Sequence, residues 1–470
     1  MTFPTPEGDP QLRRWWIALA ILVGTWSGTS LNSMMPIALP SMLVEFDIGV
    51  DLGVWIISVF VLLSAVFMPI SGWLGDRYGY RRVYLVGFSG VVLSAWAAAL
   101  APGFGWLIAA RTLQGVFNSV GLPSTMGIIS SVFSSRERGL AMGVWAAVNG
   151  ASHGLGPAIS GLLVENFGWP APFWLNGSTA LLAVVLITLI VPSDRRNDAR
   201  PFDLVGAGAL TLAMLTLMFT LRQGGELGWG SAASIGLWLV FGGLLLLFVI
   251  TERRVAQPFV QLRLFANRHY SIITAVSSAQ FLVLVGLQLL LSLYLIQFRG
   301  LAEGLAGLLI LPLASTLAVF SPLAGRIADW LGFRPSMIIG LAVVTLAVGS
   351  MALWDAASPN WLIVATLVVT GLGMGFAHSQ GATGVSLVVR RDERGLAMGI
   401  YNMLRFVCGT FGVNVLGIIV EAGRAGGVAA LQPFRVSFYL LAAVSVLGLL
   451  LAVALPRSPL AVEPAAAPVN

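Results

Sequence analysis

The segment Glu137-Arg-Gly-Leu-Ala-Met-Gly143 returns letter for letter as Glu393-Arg-Gly-Leu-Ala-Met-Gly399, 256 positions further on (393 − 137). A longer stretch keeps nearly the same interval: Gly72-Trp-Leu-Gly-Asp76-Arg-Tyr-Gly79-Tyr-Arg81 is echoed by Gly325-Arg-Ile-Ala-Asp329-Trp-Leu-Gly332-Phe-Arg334, 253 positions on (329 − 76). Each copy is a short charged segment set between long apolar runs. A chain that repeats its loops at one interval also repeats the elements between them, so the two halves read as parallel repeats related by an axis along a membrane normal.

Composition agrees with a membrane setting. Of 470 residues, 57% are hydrophobic and only 10% charged, against about 25% charged in a typical soluble domain. The net charge of +6 comes from arginine alone. Because the arginines lie between apolar runs, membrane topology accounts for them better than a nucleic-acid patch does. The single cysteine, Cys408, sits within an apolar run, which excludes a disulfide framework. Arg13 and Arg14 precede a long apolar stretch without a small-residue cleavage site, the pattern of an uncleaved first span.

A helix needs about 20 mainly apolar residues to cross about 30 Å of hydrocarbon. That rule places spans near 15–40, 51–74, 82–101, 106–133, 139–163, 169–192, 203–222, 234–251, 269–297, 304–325, 336–354, 360–388, 395–420 and 435–455. The predicted fold is an all-α membrane protein with fourteen transmembrane helices. Six-helix bundles occupy 1–192 and 263–456, a linker over 193–262 carries two extra helices, and the Ala/Pro-rich tail 457–470 is expected to be disordered. Placing the N-terminus inside puts seventeen loop arginines, from Arg77 to Arg394, on the cytoplasmic side and leaves only Arg222, Arg299, Arg424 and Arg435 outside. That is the asymmetry expected of a cytoplasmic-membrane protein with both termini inside.

With these motifs the chain resembles a transporter of the major facilitator superfamily, specifically the fourteen-span branch of drug:proton antiporters. The resemblance covers nearly the whole chain. Gly72 to Arg82 is similar to the superfamily's loop signature between spans two and three. There the resemblance implies that Asp76, Arg77, Arg81 and Arg82, with the echo at Asp329, lock the two bundles as a conformational gate. A carboxylate at a helix end beside arginines can form charge-assisted bonds, although a solvated turn would satisfy the topology equally. In span four, Arg111-Thr-Leu-Gln114-Gly115-Val-Phe-Asn118 resembles the family's signature for that helix. Arg111, Gln114 and Asn118 share one face, either along a substrate pathway or as a structural arginine held by carbonyls and amides.

Span five holds Gly150-Ala-Ser-His153-Gly154-Leu-Gly156-Pro157-Ala-Ile-Ser160-Gly161, similar to the motif of the superfamily's exporters, with Ser152 and Ser160 where the family has glycine. Glycines such as Gly156 admit a close neighbour, and Pro157 removes a backbone donor where the helix must rock. The ordinary titration range of histidine suits His153 to a proton relay, the alternative being a histidine simply hydrogen-bonded inside the bundle. The span-six opening, Trp169-Pro-Ala-Pro-Phe173-Trp174-Leu-Asn176, resembles the branch's aromatic opening, and its aromatics read as an interfacial belt. In span thirteen, Asn402, Arg405, Gly409 and Gly412 share a face about 15 Å into the helix. Arg405 matches Asn149 at the repeat interval (405 − 149 = 256), so both are expected at the central seam, with Arg405 as the principal polar substrate contact. Gln280 and Gln288 on span nine line a cavity or join helices.

One departure bears on mechanism. The branch places an aspartate in span one, nine residues before the proline of an Ala-Leu-Pro ending. Here Ala38-Leu39-Pro40 puts Leu31 at that position, beside the polar but non-ionising Asn32. Every aspartate and glutamate falls at a loop, a tail or a span end. His153 and His378 are the titratable alternatives for a proton relay, and Arg111 and Arg405 favour anionic, zwitterionic or neutral amphipathic solutes. The leading expectation is an exporter of drug-like or lipid-like amphipathic molecules working by alternating access. The alternatives are an organic-anion or lipid carrier without acid-based coupling, a membrane sensor, or a lipid-modifying enzyme. The last is disfavoured because the sequence has no buried acid pair, no metal-ligand cluster and no nucleophile with a base. No cofactor, metal or nucleic acid is expected. The expected partners are the bilayer, a small amphipathic solute and protons.

Overall fold

The computed structural model describes residues 10–133, 138–192, 203–228, 230–255, 260, 262–389, 394–425 and 430–455. Among them all regular structure is helical. In a bilayer each backbone N–H must find its acceptor within its own segment, which long apolar stretches achieve only as helices. The first half contains α1 (Pro10–Glu45), the short α2 (Val50–Gly53), α3 (Trp55–Tyr78), α4 (Tyr80–Ala99), α5 (Phe104–Asn118), α6 (Gly121–Val132), α7 (Arg138–Phe167) and α8 (Ala171–Ile190). The linker pair is α9 (Leu204–Leu227) and α10 (Ala232–Arg254). The second half contains α11 (Arg268–Ser292), α12 (Glu303–Leu331), α13 (Phe333–Met351), α14 (Asn360–Val388), α15 (Arg394–Ala425) and α16 (Gln432–Val453).

Two expected spans are divided. Span two begins with the separate turn α2. Span four breaks at Ser119–Val120 into α5 and α6, where Pro123 has no N–H to offer the Ser119 carbonyl. With α2–α3 and α5–α6 each counted as one, the helices make fourteen membrane segments. Ten segments are long and apolar enough to cross a membrane by length and composition alone. Outside that set lie α5–α6, α9, and also α1 and α7, whose middles carry Thr25, Ser27, Thr29, Ser30, Asn32 and Ser33, and Asn149, Ser152 and His153. For α1 and α7 the reason is polarity. The polar residues that weaken these two as apolar runs are the ones the halves turn inward.

The repeated loop has a backbone reason. Gly79 joins α3 to α4 with φ 93°, and Gly332 joins α12 to α13 with φ 87°, a left-handed region that L side chains avoid. The next arginine after each glycine acts alike: Arg81 donates to the Thr188 carbonyl at 2.8 Å and Arg334 to the Val453 carbonyl at 2.6 Å. Each therefore places its charge on the last turn of its own half's final helix, where the helix dipole favours a cation.

In the first half α1 packs on α7 and α8, α4 on α5 and α8, and α3 on α5. In the second, α11 packs on α15 and α16, α12 and α13 on α14, and α13 on α16. The halves meet mainly through α7 against α12 and α3 against α15. The linker helix α9 leans on this second seam: Met218 packs with Leu62 and Val66 of α3, and its sulfur lies 3.9 Å from Asn414 Nδ2 of α15. Large side chains such as Val86, Leu93, Leu239, Leu346 and Leu450 face outward, an apolar exterior suited to lipid. The tail 457–470 lies outside the described residues.

Candidate functional site

Five expected residues converge at the seam between the halves. On α15, Arg405 donates to Asn402 Oδ1 and bonds to Nδ1 of His378 from α14, both at 3.3 Å. Its guanidinium carbon stands 5.0 Å from the Phe281 ring centre and 5.2 Å from that of Tyr401. His378 is exposed although it lies well inside α14, so it borders an open chamber rather than packed core. On the α7 side, His153 Nδ1 lies 3.1 Å from the Asn149 carbonyl, and Asn149 Nδ2 donates to Thr29 Oγ1 of α1 at 3.1 Å. Arg405, His153 and His378 lie within electrostatic reach of one another. Residues from both halves thus share one chamber, and the repeat-matched pair Arg405 and Asn149 belongs to it.

Arg111 and Gln114 sit elsewhere. Both are 0% exposed in the interior of the first half. Arg111 donates from Nε to the Ile56 carbonyl at 2.8 Å and from Nη1 to Gln114 Oε1 at 2.7 Å, and its guanidinium lies 4.2 Å from the Phe60 ring centre. Gln114 Nε2 donates to Asn176 Oδ1 at 3.1 Å, and Asn176 Nδ2 to the Ser27 carbonyl at 2.6 Å. This chain ties α3, α5, α8 and α1 together. Asn118 packs beside Gly28 of α1. Asn32 is half-buried with its Oδ1 unpartnered. Phe173 corrects one expectation: it is fully buried, 5.8 Å from the Arg111 guanidinium, and so is not part of an interfacial belt.

The exporter-like motif places α7 between α1 and α12. Gly156 faces Ser30 and Ser33, and Pro157 presents its carbonyl to Gly307. Ser33 Oγ donates to the Ser152 carbonyl at 3.1 Å. Ser160, one of the departures from the family's glycines, donates to the Met34 carbonyl at 2.8 Å. The hydroxyl therefore keeps helix contact while satisfying itself, as a polar group in a membrane bundle must.

Five hydrogen bonds that join the halves lie away from the arginine-rich loops. Ser41 donates to Glu303 Oε1 at 2.8 Å, the Val50 N–H to Glu421 Oε2 at 2.8 Å, and the Gly304 N–H to Glu165 Oε2 at 3.0 Å. Asn414 bonds Ser58 at 2.7 Å, and Ser292 bonds the Pro36 carbonyl. Glycines pack closely at the same end, Gly161 against the Glu303 backbone and Gly417 against the Val54 side chain. This end of the seam is sealed. Glu165, Glu303 and Glu421 were not expected to act, since each reads as an ordinary acid at a span end. The available signal was the repeat interval, because Glu165 and Glu421 are also 256 positions apart (421 − 165). Of the expected gate, Arg77 stacks on Trp73 and Tyr78 and Arg82 is exposed, while the side chains of Asp76 and Asp329 lie outside what is described.

A two-bundle helical fold with a polar chamber at the bundle interface defines a multi-pass membrane transporter. Residues 17–413 match the Major Facilitator Superfamily, with a second match over 277–468, and the chain belongs to that superfamily. It is 31% identical over 399 residues to the Multidrug resistance protein Stp of Mycobacterium tuberculosis, covering 84% of this chain and 73% of that protein. It is 29% identical over 431 residues to the Tetracenomycin C resistance and export protein of Streptomyces glaucescens, covering 90% of this chain and 79% of that protein. These relatives agree with the drug-exporting branch. In fold alone, it is similar to the crystal structure of the peptide transporter POT in complex with sulfate, with TM-score 0.69 and 14% identity over 97% of this chain and 96% of that one.

Proposed function

We propose that this chain exports amphipathic small molecules across the cytoplasmic membrane by alternating access, with both termini in the cytoplasm. The observation that carries the reading is a chamber lined by Arg405, His378, His153 and Asn149 and sealed at one end by Ser41–Glu303, Val50–Glu421 and Gly304–Glu165. With the arginine-rich loops inside, the sealed end faces out, and the molecule stands ready to accept solute from the cytoplasm. The kinship to proteins named for multidrug resistance and for export of tetracenomycin C supports the direction and the solute class. Protons supply the drive, with His153 and His378 as the groups that exchange them inside the spans.

The test is efflux of an amphipathic dye from energised cells that produce the protein. Cells with wild type should retain several-fold less dye than cells with a variant crosslinked across the sealed end, Ser41→Cys with Glu303→Cys. Equal retention in both, with the protein present in the membrane, removes the export reading.

A further inference from the structure

The chamber's two histidines can be assigned hydrogen by hydrogen. Arginine only donates, so the His378 Nδ1 that faces the Arg405 guanidinium must accept, and the His378 proton sits on Nε2 as a donor toward the chamber. The opposite holds at His153. A carbonyl only accepts, so Nδ1 beside the Asn149 carbonyl carries the proton and Nε2 keeps a lone pair. Asn402 spends its oxygen on Arg405, which leaves both hydrogens of its amide nitrogen to offer. Apart from His153 Nε2, these groups present donors.

Arg405 also differs from the other intramembrane arginine. Arg111 is wholly enclosed, with a short bond to a carbonyl and another to an amide. Arg405 is only half-buried and has longer contacts at 3.3 Å with two neutral side chains; each arginine leaves one buried nitrogen unpartnered, Nε of Arg405 and Nη2 of Arg111. All 20 acidic residues lie at loops, tails or helix ends, so no carboxylate neutralises it at this depth. An uncompensated cation in a medium of low dielectric attracts an anion strongly and repels a cation equally. The Tyr401 ring beside it is fully buried, while Phe281 and Phe406, edge to face at 5.0 Å, offer an apolar wall for a solute's body.

We infer that the chamber selects amphipathic organic monoanions, with the anionic head held between Arg405 and His378 and the apolar body against Phe281 and Phe406. The inference rests on reading the chamber as the solute pathway, and it names the charge of the solute. His378 orients the head through Nε2–H. His153, with its acceptor nitrogen, faces a hydroxyl or protonated end of the same molecule.

Three probes that differ only in the head group test this: pyrenebutanoate, pyrenebutanol and a pyrenebutyl-trimethylammonium salt. Transport into proteoliposomes and equilibrium binding to the purified full-length protein are both read. Wild type should move and bind the carboxylate roughly ten-fold better than the cation. Arg405→Gln should lose roughly ten-fold for the carboxylate while the alcohol stays within about two-fold, and Arg405→Glu should invert the preference. His378→Gln should weaken the carboxylate alone. A wild type that prefers the cation or treats the three alike overturns the inference, as does an Arg405→Gln protein of normal melting temperature that keeps the carboxylate preference. If the arginine variants do not fold, the wild-type ranking and His378→Gln decide. If wild type moves none of the probes, export fails as a reading, and the binding ranking still decides the charge of the site.

Discussion

Replacing Glu165 and Glu421 by glutamine should unseal the closed end of the seam without touching the chamber. Glu421 takes the Val50 N–H at 2.8 Å and Glu165 takes the Gly304 N–H at 3.0 Å, each across the seam from the other half. A hydrogen bond to a charged group contributes about 1.5–3 kcal/mol when enclosed. Glutamine keeps a carbonyl acceptor and loses the charge, so roughly half of that is at stake for the half-buried Glu421, about 1 kcal/mol. Glu165 is exposed, and solvent screening lowers its share to about 0.5 kcal/mol. The double variant should therefore shift the ratio of sealed to unsealed molecules by about 1.5 kcal/mol, roughly ten-fold. Spin labels at Val44→Cys and Ala302→Cys, in a Cys408→Ser background, would report the separation of α1 from the start of α12 by pulsed electron resonance. The expected result is a long-distance population about ten-fold larger relative to the sealed one, with Glu421→Gln alone giving most of the change. A distance distribution unchanged in the double variant would refute the assignment of these contacts as the seal.

Other outcomes follow from the same geometry. Arg111→Lys should lower stability by about 2–4 kcal/mol, read as a drop in melting temperature, because an ammonium cannot serve the Ile56 carbonyl and Gln114 with one planar head; an unchanged melting temperature would contradict the structural role. Gly307→Leu should hold the label pair apart, since the Pro157 carbonyl of α7 occupies the space a side chain would need; a normal sealed population would show that α7 and α12 need not approach so closely. Substrate-driven proton movement, followed with a pH dye inside proteoliposomes, should be lost in the His153→Ala, His378→Ala double variant, and flux at the wild-type rate would exclude both histidines as carriers.

The duplicated architecture was legible because a repeat is visible as letters. The interval that matched the two loop motifs also led from Asn149 to Arg405, and the two meet at one chamber. Periodicity could place Arg111, Gln114 and Asn118 on one face, but not say whether that face looked at the seam or into its own bundle. In a membrane both surfaces accept small and polar residues, so the decision rests on partners from α3 and α8 that lie far away in sequence. Phe173 is ambiguous for a related reason, since an aromatic near a span end suits either an interface or an arginine beneath it. The break at Ser119–Val120 has no clear sign in the sequence because proline within a membrane helix often only bends it. The sealing glutamates were hidden by their ordinariness, and only the chain they reach across the seam distinguishes them from solvated acids.

The seal carries a trace of descent. Glu165 reaches Gly304 and Glu421 reaches Val50, and the donors are 254 positions apart (304 − 50) as the acceptors are 256. Each contact therefore joins the same two places of the repeat, taken once from each copy. A half-length ancestor assembled as a two-fold homodimer would have possessed both bonds from a single glutamate and a single backbone amide, before any gene was duplicated or any linker joined the subunits. Fusion would then free each copy to change by itself, and Arg405, matched by Asn149 at the repeat interval, marks where the two copies parted.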